Sequence, residues 1–308
     1  MNNILELKKL HKEYENVIAV NSIDLDIPRG SIFGLLGPNG AGKTSMIRII
    51  THITMLDSGS ITFNFNEKGI KDYMNNIGYL PEERGLYPEM KIGEQLMFFA
   101  QMKGLSAKKA KENINHWLQK LDMEDWYNKK AQELSKGMQQ LVQFVASIVH
   151  DPELLIFDEP FSGLDPINTE RLKKEIVELA KRDKTIIFST HQMSQVEEIC
   201  DEIALIDKGV IILEGKLKDI KNRFKKDIFE IKYNGQFQSM NIDGLDIELV
   251  EDGCALVKNL KYYPNSQLLK MLSDHVEIYS FTEILPSLNE IFIEQVTRAK
   301  NMMEAKHE

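Results

Sequence analysis

Apolar runs of five or six residues, each closed by a turn signal and followed by a stretch of turn-spaced apolar positions, set the rhythm of the first two thirds of the chain. Residues 4–10, 22–27 and 31–36 read as strands, and Ile61-Thr62-Phe63-Asn64-Phe65 alternates like another. The run from Ser45 to Ile50 continues as helix. Between about residues 91 and 130 the period lengthens: Leu96, Phe99, Ala100 and Lys103 fall on one turn-spaced series, and Trp117, Leu118 and Leu121 on another. A second block follows, with helices over 135–149 and 168–181 and strands over 154–158 and 185–189. Alternation of this kind predicts an α/β fold with a mainly parallel sheet covered on both faces.

Near Lys216 the character changes. Residues 216–226 carry five lysines and one arginine in a pattern that reads as a basic helix leaving the first domain. Beyond it, short strands over 228–233, 247–250, 255–257 and 276–280 and helices near 266–273 and 285–299 predict a small α+β domain. The expected division is 1–226, with a helical portion at about 88–150, then 227–300, then a frayed tail at 301–308.

Composition narrows the setting. A chain of 308 residues holds one large and one smaller domain with ample core. No apolar run approaches the ~20 residues that span a bilayer, and the start Met1-Asn2-Asn3-Ile4 lacks the basic and apolar regions of a signal peptide. Cys200 and Cys254 form no metal-like or disulfide-framework spacing, which fits a reducing cytoplasm with both as small buried side chains. A net charge of −9 argues against broad nucleic-acid binding, which relies on Lys and Arg neutralising phosphates.

The chemistry concentrates in Gly37-Pro38-Asn39-Gly40-Ala41-Gly42-Lys43-Thr44, between a strand-like and a helix-like run. It fits G-x-x-x-x-G-K-[ST], for which a chance match in a chain this long has odds on the order of one in a hundred. Glycines let backbone N–H groups turn inward around a polyphosphate. Lys43 reaches the outer phosphates, the Thr44 hydroxyl can ligate Mg²⁺, and the helix that continues through Ser45 points its positive end at the anion.

Two further segments matter. Leu154-Leu155-Ile156-Phe157-Asp158-Glu159 is an apolar strand ending in two carboxylates, an expensive arrangement unless a cation meets them. Asp158 is placed to hold Mg²⁺ through water and Glu159 to polarise an attacking water; a plain cap on the next loop is the alternative for Asp158. Upstream, Leu134-Ser135-Lys136-Gly137-Met138-Gln139-Gln140 opens a helix. Alone, it reads equally as an ordinary cap.

With these residues in hand, the chain from Ile4 to about Lys226 resembles the nucleotide-binding subunit of ABC transporters. Tyr14 matches the aromatic that stacks on adenine, residues 37–44 the Walker A loop, and 134–138 the signature usually written LSGGQ. Residues 154–158 with Glu159 match Walker B and the catalytic glutamate, 161–165 the D-loop, and His191 the switch histidine. The resemblance implies a P-loop NTPase with a RecA-like core, an antiparallel β subdomain and a helical subdomain. It implies ATP and Mg²⁺ as cofactors and catalytic roles for Glu159, His191 and Lys43. A second cassette would contribute Ser135 and Gly137 to the γ-phosphate held by the first, in a homodimer or heterodimer.

Two departures stand out. Glu82 takes the place of the family's usual glutamine; as a metal ligand it adds negative charge beside the γ-phosphate, and as a bland residue it is a solvated loop glutamate. Lys136 and Met138 replace glycine and glutamine in the signature, which predicts altered turnover with binding retained.

The helical stretch with Met90, Leu96, Met97, Phe98, Phe99 and Met102 reads as subdomain core or, as the family uses it, as a docking groove for a membrane partner. The run Gly78-Tyr79-Leu80-Pro81-Glu82-Glu83-Arg84-Gly85-Leu86-Tyr87 and the ending Pro286-Ser287-Leu288-Asn289-Glu290-Ile291-Phe292 resemble bacterial exporter ATPases of the sodium- and drug-extrusion kind. That resemblance implies an ATPase on the cytoplasmic face of the membrane, driving a separate transmembrane permease subunit. The competing reading is a soluble ABC-type ATPase of nucleic-acid maintenance or ribosomes. The short interval between the phosphate loop and the signature, the single phosphate loop and the acidity all weigh against it.

Overall fold

The computed structural model describes residues 2–65, 73–83, 85–235 and 242–304. Two compact units divide the chain, Met1–Leu217 and Lys218–Glu308. The division falls nine residues before the expected 226/227. The basic segment is a helix only over Leu217–Arg223, and all but its first residue belongs to the second unit.

The first unit is built on two sheets. Strands β1 (Asn3–Tyr14), β2 (Val17–Pro28) and β4 (Ser58–Phe63) form an antiparallel sheet in the order β2-β1-β4. The first two strands run longer than the apolar pattern suggests, because charged residues such as Lys8 and Asp26 pair across their solvent faces at 2.9 Å. Strands β3 (Ile32–Leu36), β5 (Ile77–Leu80), β6 (Leu154–Asp158), β7 (Thr185–Thr190), β8 (Glu202–Asp207) and β9 (Val210–Lys216) make a second sheet, ordered β5-β6-β7-β3-β8-β9. All neighbours in it are parallel except the β8–β9 pair.

Strands β3, β6 and β7 are buried at every position, as near-continuous apolar runs in a covered parallel sheet should be. Each fully buried Leu, Ile or Phe there contributes ~1.5–3 kcal/mol. Their carboxyl ends at Leu36, Asp158 and Thr190 lie side by side, where ligands of α/β sheets collect.

Helix α1 (Lys43–Ile50) follows β3 across the loop at 37–42. Helices α2 (Ile92–Met102), α3 (Ala107–Lys120) and α4 (Lys136–Ile148) form the helical portion, with Leu96, Ala100, Trp117, Leu118 and Leu121 buried as their spacing predicts. Phe98 (40% exposed) and Met102 (67% exposed) stand out of that core. Helices α5 (Pro166–Ala180) and α6 (Met193–Ile199) complete the unit.

In the second unit, α7 (Leu217–Arg223) precedes a four-stranded antiparallel sheet. Its order is β11-β12-β10-β13, from β10 (Ile228–Asn234), β11 (Leu245–Glu251), β12 (Cys254–Asn259) and β13 (Glu277–Ile284). Helix α8 (Asn265–Ser273) packs Leu268 and Leu272 against Phe229, Ile231 and Val257. The last helix, α9 (Leu288–Glu304), starts three residues later than expected. Pro286-Ser287 sets the start: Ser287 Oγ accepts from Glu290 N (3.2 Å) while Glu290 Oε2 accepts from Ser287 N (2.8 Å), a reciprocal cap. The helix also runs past the expected onset of fraying, through Glu304; 305–308 and Arg84 lie outside the described residues. Both cysteines are buried and free.

Candidate functional site

The loop between β3 and α1 folds into a cleft of about 270 Å³. Asn39, Gly40, Ala41, Gly42, Lys43, Thr44 and Ser45 line one side, Val17 and Ala19 another, and Glu82, Asp158 and Glu159 a third. Gly42, the residue before α1, has φ +108°, and a Cβ there would lie 2.2 Å from the Ala19 carbonyl oxygen. Only glycine fits. It offers no side chain to cap α1, so the first-turn amides of Lys43, Thr44 and Ser45, which a helix leaves without internal partners, are available to an anion.

Lys43 is 7% exposed, and its Nζ donates back to the Gly37 (2.7 Å) and Pro38 (3.1 Å) carbonyls. Burial pushes its pKa down, opposed by the carboxylates of Glu159, Asp158 and Glu82. Asp158 is 1% exposed, and burial pushes its carboxyl above the usual range. The Ser189 and Thr44 hydroxyls favour its charged form, whereas the negative charges of Glu82 and Glu159 add to the upward shift. Thr44 Oγ1 donates to Asp158 Oδ2 at 3.3 Å.

A hydroxyl and a desolvated carboxylate facing one cleft suit a hard cation, which would offset the cost of burying Asp158. Among the described residues no three His, Cys, Asp or Glu side chains converge to hold a metal ion by themselves. Thr44 and Asp158 are the residues of the cleft that would hold a Mg²⁺ ion, which commonly keeps water and phosphate oxygens as its other ligands.

Glu159, next after β6, has φ +50°, an uncommon conformation for a non-glycine residue. Its N–H donates to the Ser189 carbonyl (2.9 Å), which ties the turn to β7. Its Oε1 accepts from His191 N (2.9 Å) and His191 Nδ1 (2.6 Å), and its Oε2 from Thr190 Oγ1 (2.9 Å). Because a carboxylate only accepts, Nδ1 carries the proton. The structure thus brings Glu159 and His191 into direct contact, which the sequence could not reveal.

Ser135 and Gly137 are not among the residues that line the cleft. Ser135 is the N-cap of α4, and its Oγ accepts from Met138 N at 3.3 Å. A Cβ on Gly137 would stand 3.0 Å from the Gly163 carbonyl, so the start of α4 lies tight against the loop after Glu159. Gln140, buried in α4, donates to the Pro160 carbonyl at 3.0 Å and fixes the same loop.

Tyr14 also stands outside the cleft lining. It ends β1 opposite Val17, is 39% exposed, and carries Lys12 Nζ 5.2 Å from its ring centre. Sequence reasoning missed Val17, Ala19, Gln140 and Thr190. An exposed Val17 beside a tight hairpin is the one signal available for the first of these.

A second concavity, of about 450 Å³, is lined by Leu86, Tyr87, Phe98, Phe99, Met102 and Pro81, with Gln143 and His150 among its polar members. Gln143 donates from Nε2 to the Glu83 carbonyl at 3.4 Å, and its buried Oε1 has no partner among the described residues. His150 Nε2 is 3.2 Å from the Ile77 carbonyl. Burial, then the Lys103 charge, pushes its pKa down to about 4.

The parallel sheet with a phosphate loop at its carboxyl end defines a P-loop nucleotide-binding protein. Comparison with known proteins gives the family. A family model described as ABC transporter matches residues 20–162, and one described as ATP-binding protein DrrA1-3-like, C-terminal domain, matches 215–296. An uncharacterized ABC transporter ATP-binding protein, YhaQ of Bacillus subtilis (strain 168), is 39% identical over 304 residues, covering 95% of this chain and 98% of the relative. The Nod factor export ATP-binding protein I of Cupriavidus pinatubonensis is 35% identical, covering 74% of this chain and 71% of the relative. A solved structure of an ATP-binding subunit of an ABC transporter superposes with a TM-score of 0.66 at 30% identity, over 72% of this chain and 93% of that one. The chain belongs to the ABC transporter ATP-binding family and carries a DrrA-like C-terminal domain.

Proposed function

We propose that this chain is the ATP-hydrolysing subunit of an exporter, in which two cassettes close on two MgATP molecules and drive a separate membrane subunit. The observation that carries the reading is the convergence in one cleft of the 39–45 loop, Thr44 with Asp158, and Glu159 held by His191. Ser135 and Gly137 lie outside that cleft, as residues offered to a second cassette would. ATP would lie with its phosphates on the first-turn amides of α1 and its base toward Tyr14 and Val17. Mg²⁺, held by Thr44 and, through water, Asp158 with Glu82 nearby, would neutralise charge on the phosphates.

Hydrolysis then runs by attack of water on the γ-phosphorus. The water proton passes to Glu159, and the bond to the bridging oxygen breaks with its electron pair leaving on ADP. His191 orients Glu159 through its Nδ1 and backbone N–H. Lys43, released from the Gly37 and Pro38 carbonyls, offsets the developing charge.

The membrane subunit would seat in the apolar concavity around Phe98 and Met102. No helix among the described residues is long and apolar enough to cross a membrane, which fits a peripheral subunit on the cytoplasmic face. Export is supported by the relative named for Nod factor export and by the DrrA-like C-terminal domain.

Glu159→Gln tests the core of this reading. The variant should bind ATP and accumulate as a closed dimer on size exclusion with turnover nearly abolished. Normal turnover would remove Glu159 from the role, and full activity of a strict monomer would remove the shared site.

A further inference from the structure

We infer that Thr190 is a positioning residue for hydrolysis: its hydroxyl selects Oε2 of Glu159 as the oxygen that takes the proton from water. This rests on the reading of Glu159 as the base.

An ionised carboxylate offers two lone-pair directions on each oxygen. Oε1 of Glu159 uses both, on His191 N at 2.9 Å and His191 Nδ1 at 2.6 Å. Among the described residues, Oε2 accepts only from Thr190 Oγ1, at 2.9 Å, and keeps one direction open. Glu159 lines the cleft, whereas Thr190 is fully buried behind it. Oε2 is thus the Glu159 oxygen that keeps an acceptor direction for a water.

The Thr190 hydroxyl is itself fixed. Gln192 N donates to its oxygen at 3.1 Å, which leaves its proton to point at Oε2. Backbone conformation adds to the need: Glu159 sits at φ +50°, off the ordinary regions, so its side chain is held by its partners rather than by a helix or strand. Without the Thr190 bond the carboxylate keeps one anchored oxygen and can rotate about it. Small misplacements of a reacting group are costly in rate.

The experiment compares Thr190→Val, Thr190→Ser and Glu159→Gln in the purified full chain, with ATPase rate and KM for MgATP as readouts. Thr190→Val keeps the shape and loses the hydroxyl. It should lower kcat on the order of tenfold or more with KM within about twofold. Thr190→Ser should restore kcat to within about threefold of the parent, which a role confined to packing of the methyl group would not do. If Thr190→Val does not fold, Thr190→Ala gives the same reading against Thr190→Ser. Parental kcat in Thr190→Val with an inactive Glu159→Gln overturns the inference alone. Thr190→Ser as slow as Thr190→Val also overturns it, as does a loss confined to KM. Parental turnover in Glu159→Gln would instead sink the underlying reading.

Discussion

Pro81 and Glu82 are consecutive in the chain yet line different concavities, Pro81 the apolar one beside Phe98 and Glu82 the phosphate cleft beside Asp158. One peptide unit thus joins the proposed nucleotide site to the proposed docking surface.

Glu82→Gln removes one of the three carboxylates that face Lys43. The expected outcome is a rise of several-fold in the Mg²⁺ concentration needed for half-maximal ATPase, with nucleotide binding retained. An unchanged Mg²⁺ titration and rate would return Glu82 to the role of a solvated loop residue.

Gly42→Ala places a Cβ 2.2 Å from the Ala19 carbonyl at a φ of +108°. Nucleotide affinity measured by calorimetry should fall by more than tenfold, since the loop must open to relieve the clash. Retained affinity would mean that the loop relaxes without losing its shape.

Gly137→Ala brings a Cβ to 3.0 Å from the Gly163 carbonyl. Stability should drop by about 1 kcal/mol, seen as a fall of a few degrees in Tm. ATP-driven dimerisation should suffer far more. An equal loss in the monomer's nucleotide affinity would point to a role inside one chain.

His150 supplies a pH test. Burial lowers its pKa to about 4, so the folded state disfavours the protonated ring. The stability it contributes is complete above its ordinary pKa, near 6.5, and is lost as pH falls from there toward 4. Over that window the loss approaches about 3 kcal/mol. His150→Gln should flatten the pH dependence of denaturant midpoints between pH 6.5 and 4; an unaltered slope would assign it to other groups.

Phe98→Asp with Met102→Asp alters two exposed residues of the apolar concavity. Nucleotide affinity should stay within about twofold, while recovery of the chain with native membranes should fall sharply. Unchanged recovery would place the docking surface elsewhere.

How much of this was legible in the sequence follows from which forces are local. The phosphate loop reads directly because Gly42 and Lys43 are required by chemistry at fixed spacing. Strands β6 and β7 read as apolar runs because both faces are covered. The Glu159–His191 contact did not read, since it depends on two strand ends 32 residues apart meeting in a parallel pair. Thr190 and Gln140 did not read either: a buried Thr or Gln differs from an exposed one only through the partner it finds. The start of α9 at Leu288 was missed because Ser287 and Glu290 form a reciprocal cap that outweighs the apolar pattern beginning at Leu285.

Lys43 bends back onto the Gly37 and Pro38 carbonyls of its own loop. Its buried ammonium acts as a peg that pins the Gly37–Pro38 turn to the first residue of α1.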